Sequence, residues 1–165
     1  MNELIQNLIE ALREEMKEYG EMLARLEQQQ QTVVQQRPQD LLQTTADVKS
    51  QIETIAAARH EREQRQRHVS RQCGLSENAT FVELVPQLPH AYRPLVQALV
   101  RENNDLLVRV HQRAQQNHLL LNRAVELMQK LFSSLFPGGQ PPTYSDSGRL
   151  LTGPVSPQPL YDAIG

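Results

Sequence analysis

One run constrains this chain more than any other. From Leu95 to Phe136 there is neither Pro nor Gly, and Leu95, Leu99, Asn103, Leu106, Val110, Ala114, Asn117, Leu121, Ala124, Met128, Leu131 and Leu135 recur at gaps of three and four residues. That spacing is the template for one face of an α-helix. At a rise of about 1.5 Å per residue the helix is about 60 Å long, too long for the inside of a compact globule and suited to the spine of an elongated bundle. The segments before it read as partner helices, and the segment after it reads as a tail.

Composition enters as a filter on that reading. No Trp, 4% aromatic residues and few glycines before the C-terminal region argue against a β-sandwich or a doubly wound sheet. A formal net charge of −2 supplies no global basic field to draw nucleic acid or an anionic membrane. The N-terminal MNELIQNLIEAL has neither a basic flank nor an uninterrupted apolar core, and no run approaches membrane-spanning length. The expectation is a cytoplasmic protein with no membrane insertion. Cys73 is the single cysteine, so neither an intramolecular disulfide nor a multi-cysteine zinc site can form.

Taken in order, the chain opens with an amphipathic helix over about residues 2–32. Ile5, Leu8, Ile9, Leu12, Met16, Tyr19, Leu23, Leu26 and Val33 form its apolar face, and Glu10, Glu14, Lys17, Glu18, Glu21 and Arg25 its solvent face. Gly20 inside it costs about 1 kcal/mol relative to Ala. The glutamines Gln28 to Gln31 continue the helix surface. Pro38 opens a second helix, expected over 38–73, with Asp40 in the first turn at the positive end of the helix dipole. Its second half, Arg59 to Gln72, is polar all round except Val69 and reads as a solvated helix end. The arginines there invite a nucleic-acid reading, against which stand the interrupting glutamates and the lack of aromatic residues to stack on bases.

Gly74 fits a C-terminal cap. Thr80 followed three residues later by Glu83 is a capping-box pattern for a short connector helix over 80–86, closed by Pro86 and Pro89, whose Phe81, Leu84, Val85 and Leu88 can fold over one end of the bundle. The spine follows over 91–136, and its halves differ. Apolar positions from Leu95 to Ala114 occupy an arc of about 140°, whereas those from Leu120 to Phe136 cover about 180°. A second helix that is polar along half its length cannot cover so wide a face, and uncovered apolar surface marks a partner site. Leu120, Leu121, Val125, Met128, Leu131, Phe132, Leu135 and Phe136 are therefore the candidate binding residues; tight packing within a three-helix or dimeric bundle is the alternative use of the same surface.

Pro137-Gly138-Gly139 stops the spine, and residues 137–165 hold six prolines with too few apolar residues for a core of their own, which predicts a flexible tail. Leu150, Leu151, Val155, Leu160 and Tyr161 are anchors of the kind such a segment uses when it orders on a partner. Pro141-Pro142-Thr143-Tyr144 also fits the PPxY pattern bound by aromatic-grooved domains, a match common in Pro-rich tails. No constellation points to catalysis, a cofactor or a metal: His111 and His118 share a face but lie beyond the i, i+4 spacing of helical chelation, and Gly138-Gly139 lacks the Lys-Ser/Thr of a phosphate loop. The carboxylates read as solvated partners of Lys and Arg. Asn103 and Asn117, inside the apolar stripe, read as register-setting polar residues of a helix seam, with a ligand contact as the alternative.

Two long antiparallel helices, a polar second-helix end, a short capped connector, a long third helix with Glu102-Asn103-Asn104 and Asn117-His118-Leu119-Leu120-Leu121-Asn122, and a tail with Tyr144-Ser-Asp-Ser-Gly148 together resemble the flagellar export chaperone family FlgN. The family's tail reads Tyr-Gly-x-x-Gly; this chain keeps the Tyr and the second Gly and lacks the first. The resemblance covers nearly the whole chain. It implies an all-α elongated antiparallel bundle of three long helices and a non-enzymatic type III secretion chaperone of flagellum biogenesis. Such a protein binds the C-terminal helical segments of the hook-filament junction proteins FlgK and FlgL in the cytoplasm and hands them to the export gate, where Tyr144 would dock at the component FlhA. The residues by themselves leave open a coiled-coil scaffold that self-associates, for instance as a homodimer, without a secreted client.

Overall fold

A computed structural model describes residues 1–135, 143–144 and 150–151. Over residues 1–135 all regular structure is helical: α1 (Asn2–Val34), α2 (Pro38–Gln72), α3 (Phe81–Leu84) continued by a 3-10 turn (Val85–Gln87), and α4 (Arg93–Leu135). The backbone at Thr143–Tyr144 pairs antiparallel with Leu150–Leu151, Thr143 opposite Leu151 and Tyr144 opposite Leu150. The remainder of the expected tail lies outside the described residues. The chain divides into two units, Met1–Asn122 and Arg123–Gly165.

Each boundary in the first unit has a local cause. The helix α1 ends in a Schellman arrangement in which Arg37 N–H donates to Thr32 O and Gln36 N–H to Val33 O. That geometry requires a left-handed residue at the first position past the cap, and Gln36 supplies it with φ of 54°. Pro38 then occupies the first turn of α2, where a missing N–H costs nothing. The end of α2 repeats the motif with the residue best suited to it: Leu75 N–H donates to Ser70 O, Gly74 N–H to Arg71 O, and Gly74 sits at φ of 72°. Before α3, Thr80 Oγ1 accepts from Glu83 N–H and the Glu83 carboxylate accepts from Thr80 N–H at 2.8 Å, a complete capping box.

Cross-helix bonds give the directions. Thr32 meets Thr44, Gln29 meets Thr45, Glu18 meets Gln51 and Glu15 meets Arg62, so α1 and α2 run in opposite senses. Asn103 Nδ2 donates to Leu12 O at 3.0 Å and Asn117 Nδ2 to Leu26 O at 2.7 Å, so this part of α4 runs in the same sense as α1. Both pairs are separated by 91 residues. Two asparagines two heptads apart thus hold two carbonyls two heptads apart, which fixes one register between the helices.

The core of this unit is uneven. Ile5, Leu8, Ile9 and Leu12 of α1, Val69 of α2, Leu84 and Leu88 of the connector and Val96 and Leu99 of α4 form one apolar cluster. The connector therefore closes that end. Toward the α1–α2 turn the apolar cluster shrinks to Met22, Leu26 and Val48. Four sequence expectations about buried faces are corrected in this unit. Glu18, assigned to the solvent face of α1, is buried because Gln51 of α2 reaches it at 2.6 Å. Gln29, read as helix surface, is buried between Thr45 and Asn117. Met22 and not Leu23 fills the core position, and Leu95 is exposed while its neighbour Val96 is fully buried.

Candidate protein-binding surface

The apolar periodicity of α4 outlasts its partners. In the first unit, Val96, Leu99, Asn103 and Asn117 are the buried positions of α4, and Leu120 and Leu121 are half-buried. In the second unit the helix carries Val125, Leu127, Met128, Leu131, Phe132 and Leu135, each between 53% and 71% exposed. Fully burying one such side chain contributes about 1.5–3 kcal/mol, so leaving a run of them in water is a substantial unrealised gain. The spacing Met128, Leu131, Phe132 and Leu135 is i, i+3, i+4 and i+7, the arrangement by which one amphipathic helix lies along another. Leu127, with Leu119 at 60% exposure, is an exposed apolar residue absent from the set nominated by sequence. Phe136, Val155, Leu160 and Tyr161 lie outside the described residues; for Tyr144, Leu150 and Leu151 the backbone pairing is the whole description.

Much of the Arg-rich end of α2 faces solvent, as expected of a solvated helix end, but Arg59 and Arg62 turn inward. Arg62 Nε donates to Glu15 at 2.9 Å and its Nη1 to Gln66 at 3.0 Å, and its guanidinium lies 5.9 Å from the Phe81 ring centre. Gln66 in turn donates to Ala79 O. Arg59 lies 3.6 Å from Glu15 and donates to the Tyr19 hydroxyl, which donates to Glu15 at 3.0 Å. Glu15 is 3% exposed, so the sequence expectation of solvated carboxylates is corrected here: two arginines neutralise a buried charge and a tyrosine hydroxyl hydrogen-bonds it. Burial is also the main reason the Tyr19 hydroxyl is raised above its ordinary pKa. Farther along, Arg65 pairs with Glu61, Arg67 with Glu63 and Arg71 with Glu77. Every arginine of the stretch has a carboxylate within 4.0 Å.

A cleft of about 390 Å³ opens beside this cluster, with Tyr19, Arg59, Phe81, Val100, Asn103 and Leu107 among its walls. Asn103 Oδ1 is buried there without a partner, but so is Asn117 Oδ1, which does not line this cleft, so the orphan acceptor is shared by both asparagines of the seam. Burial pushes the Cys73 thiol up, away from the reactive thiolate. Among the described residues no group of three or more His, Cys, Asp or Glu is placed to hold a metal ion, and no helix is long and apolar enough to cross a membrane.

The family model for the FlgN protein matches residues 1–152. This chain belongs to the FlgN family. The match spans the whole of the first unit and continues through α4 into the second, including the exposed apolar stretch. FlgN proteins are chaperones of flagellum biogenesis that serve type III export, and the helical structure accords with that family. No curated protein and no solved structure matched the chain.

Proposed function

We propose that this protein is a cytoplasmic export chaperone that binds the C-terminal helical segments of FlgK-like and FlgL-like junction proteins, keeps them from associating early, and delivers them to the flagellar export gate. The observation that carries the reading is the exposed run of Val125, Leu127, Met128, Leu131, Phe132 and Leu135 on α4. A client helix laid along it removes this surface from water in the cytoplasm and leaves again once the gate supplies a competing surface. The role is binding and not catalysis. Its scaffold in this reading is a single elongated antiparallel bundle of α1, α2 and α4. Docking at FlhA is assigned to Tyr144, whose flanking Ser145 in place of the family's Gly makes it a variant of the tail motif.

The test is co-purification with a FlgK-like C-terminal segment. The variant Leu131→Asp with Leu135→Asp places charge on side chains already in water, so the helical signal stays unchanged while affinity falls by about 30-fold or more, the loss typical of a central interface anchor. Unchanged affinity would sink the proposal. Removing residues 137–165 is expected to weaken the complex, and an unaltered complex would take the tail out of the mechanism. The same apolar run would equally suit a second copy in a self-associating scaffold. Sedimentation separates these readings: a stable oligomer that refuses the client segment favours the scaffold.

A further inference from the structure

The first unit holds two cores of different chemistry, arranged along its helices. At the end closed by the connector, the buried positions are the nine apolar residues from Ile5 to Leu99 named above together with Ala11, Ala79 and Tyr19, with Glu15, Ser70 and Asn103 as the polar exceptions. Toward the α1–α2 turn the proportions invert. Met22, Leu26 and Val48 are joined by buried Glu18, Gln29, Thr32, Thr44, Gln51 and Asn117. These groups bond to one another and to neighbouring hydroxyl and carbonyl groups: Gln51 to Glu18 at 2.6 Å, Asn117 to Gln29 at 3.0 Å, Thr32 with Thr44 at 3.3 Å, Gln29 to the exposed Thr45 at 3.1 Å, and Asn117 to Leu26 O at 2.7 Å. A hydrogen bond inside a protein replaces one to water and so adds little net stability, whereas a buried aliphatic side chain has no equivalent in water. Separation of the helices therefore costs much less at the polar end.

We propose that the polar end opens and recloses as a cooperative unit of its own while the connector-capped end stays packed. The opening unit comprises α1 from Met22 to Val34, α2 from Pro38 to Ile55, and α4 from Leu106 to Asn122. When it opens, the inner stripe of α4 presents Leu106, Val110 and Leu121 around the Asn117 amide. That stripe suits an amphipathic helix carrying amide or hydroxyl side chains, which can replace the bond to Leu26 O, better than a purely aliphatic one. The opening is a property of the free chain and does not depend on which client the protein serves.

Native-state hydrogen exchange on the full chain tests this without any partner. Amides of Leu26, Gln29, Val48, Gln51 and Asn117 are expected to be protected about 100-fold less than those of Leu8, Leu12, Val69 and Leu99, and to respond more weakly to low urea, as a sub-global opening does. Equal protection with equal urea dependence at both ends would overturn the proposal. The variant Gln29→Leu with Asn117→Leu replaces bonded polar groups by aliphatic ones; it should raise protection at the polar end by about 10-fold or more and leave the other end unchanged. If that variant fails to fold, the comparison of the two ends in the unaltered chain still decides.

Discussion

Glu15 shows how one side chain can hold several elements. Its carboxylate is reached by Arg62 and Arg59 from α2 and by Tyr19 from its own helix, and Arg62 carries the network onward to Phe81 and, through Gln66, to Ala79. Removing Arg62 takes away the closest cation to a buried carboxylate while Arg59 and the Tyr19 hydroxyl remain, so the cost falls at the low end of that for breaking a buried pair. Arg62→Ala should therefore destabilise the protein by about 3 kcal/mol, seen as a lower urea midpoint at an unchanged slope. Arg62→Lys should recover only part of that, since one ammonium cannot serve Glu15 and Gln66 in the same fork. Glu18 makes the pH-dependent counterpart. The Gln51 amide, and after it Lys17, hold its carboxyl below the usual carboxylate range against the opposing effect of burial. A depressed folded pKa means the contribution is present in full above the ordinary carboxylate value of about 4.3 and is lost as pH falls through the lower folded value. The stability difference between the protein and Glu18→Gln should accordingly shrink from pH 6 to pH 3 in urea titrations, and a constant difference would contradict it.

At the scale of elements, the two Schellman ends contrast what sequence reveals with what it hides. Gly74 announces its left-handed position, and the Thr80–Glu83 capping box can be read from two residues, because both signals are local. Gln36 adopts the same conformation and carries no such sign; a β-carbon in the left-handed region costs about 1–2 kcal/mol, so Gln36→Gly should raise the unfolding midpoint by about 1 kcal/mol in stability. Gly20, which has ordinary helical geometry, is the reverse case. A β-carbon built there meets nothing within 4 Å, and Gly20→Ala should add about 0.5–1 kcal/mol, measured by thermal unfolding. The misassigned faces share one cause. Helical periodicity placed Glu18 and Gln29 by their angle around α1, but whether a polar side chain enters a seam depends on a partner such as Gln51, 33 residues away. The same limit applied to Arg62, whose partners Glu15 and Phe81 belong to other elements. Asn103 and Asn117 were legible because they interrupt an apolar stripe, and their carbonyl partners Leu12 and Leu26 were not.

For the molecule as a whole, the residues that hold it together and the residues proposed to serve a client belong to different units. The apolar cluster, the Glu15 network and both asparagine seams lie within Met1–Asn122, while Val125 to Leu135 of the other unit expose their apolar side chains. Sequence located that exposed run by its width, since an arc of about 180° exceeds what one neighbouring helix covers; it could not identify the occupant, because periodicity describes only one side of a contact. The separation makes a two-way prediction. Leu131→Asp with Leu135→Asp should leave the thermal midpoint within about 2 °C of the unaltered chain, since neither side chain is packed, yet abolish retention of a FlgK-like C-terminal segment. Arg62→Ala should do the opposite. Its thermal midpoint should fall by about 6–12 °C, while at a temperature where it remains folded it retains the segment with affinity within about threefold. Calorimetry and a binding titration on the same two proteins decide the matter. A loss of both properties in either protein would show that stability and client binding share residues, and would count against placing the client surface on the exposed run of α4.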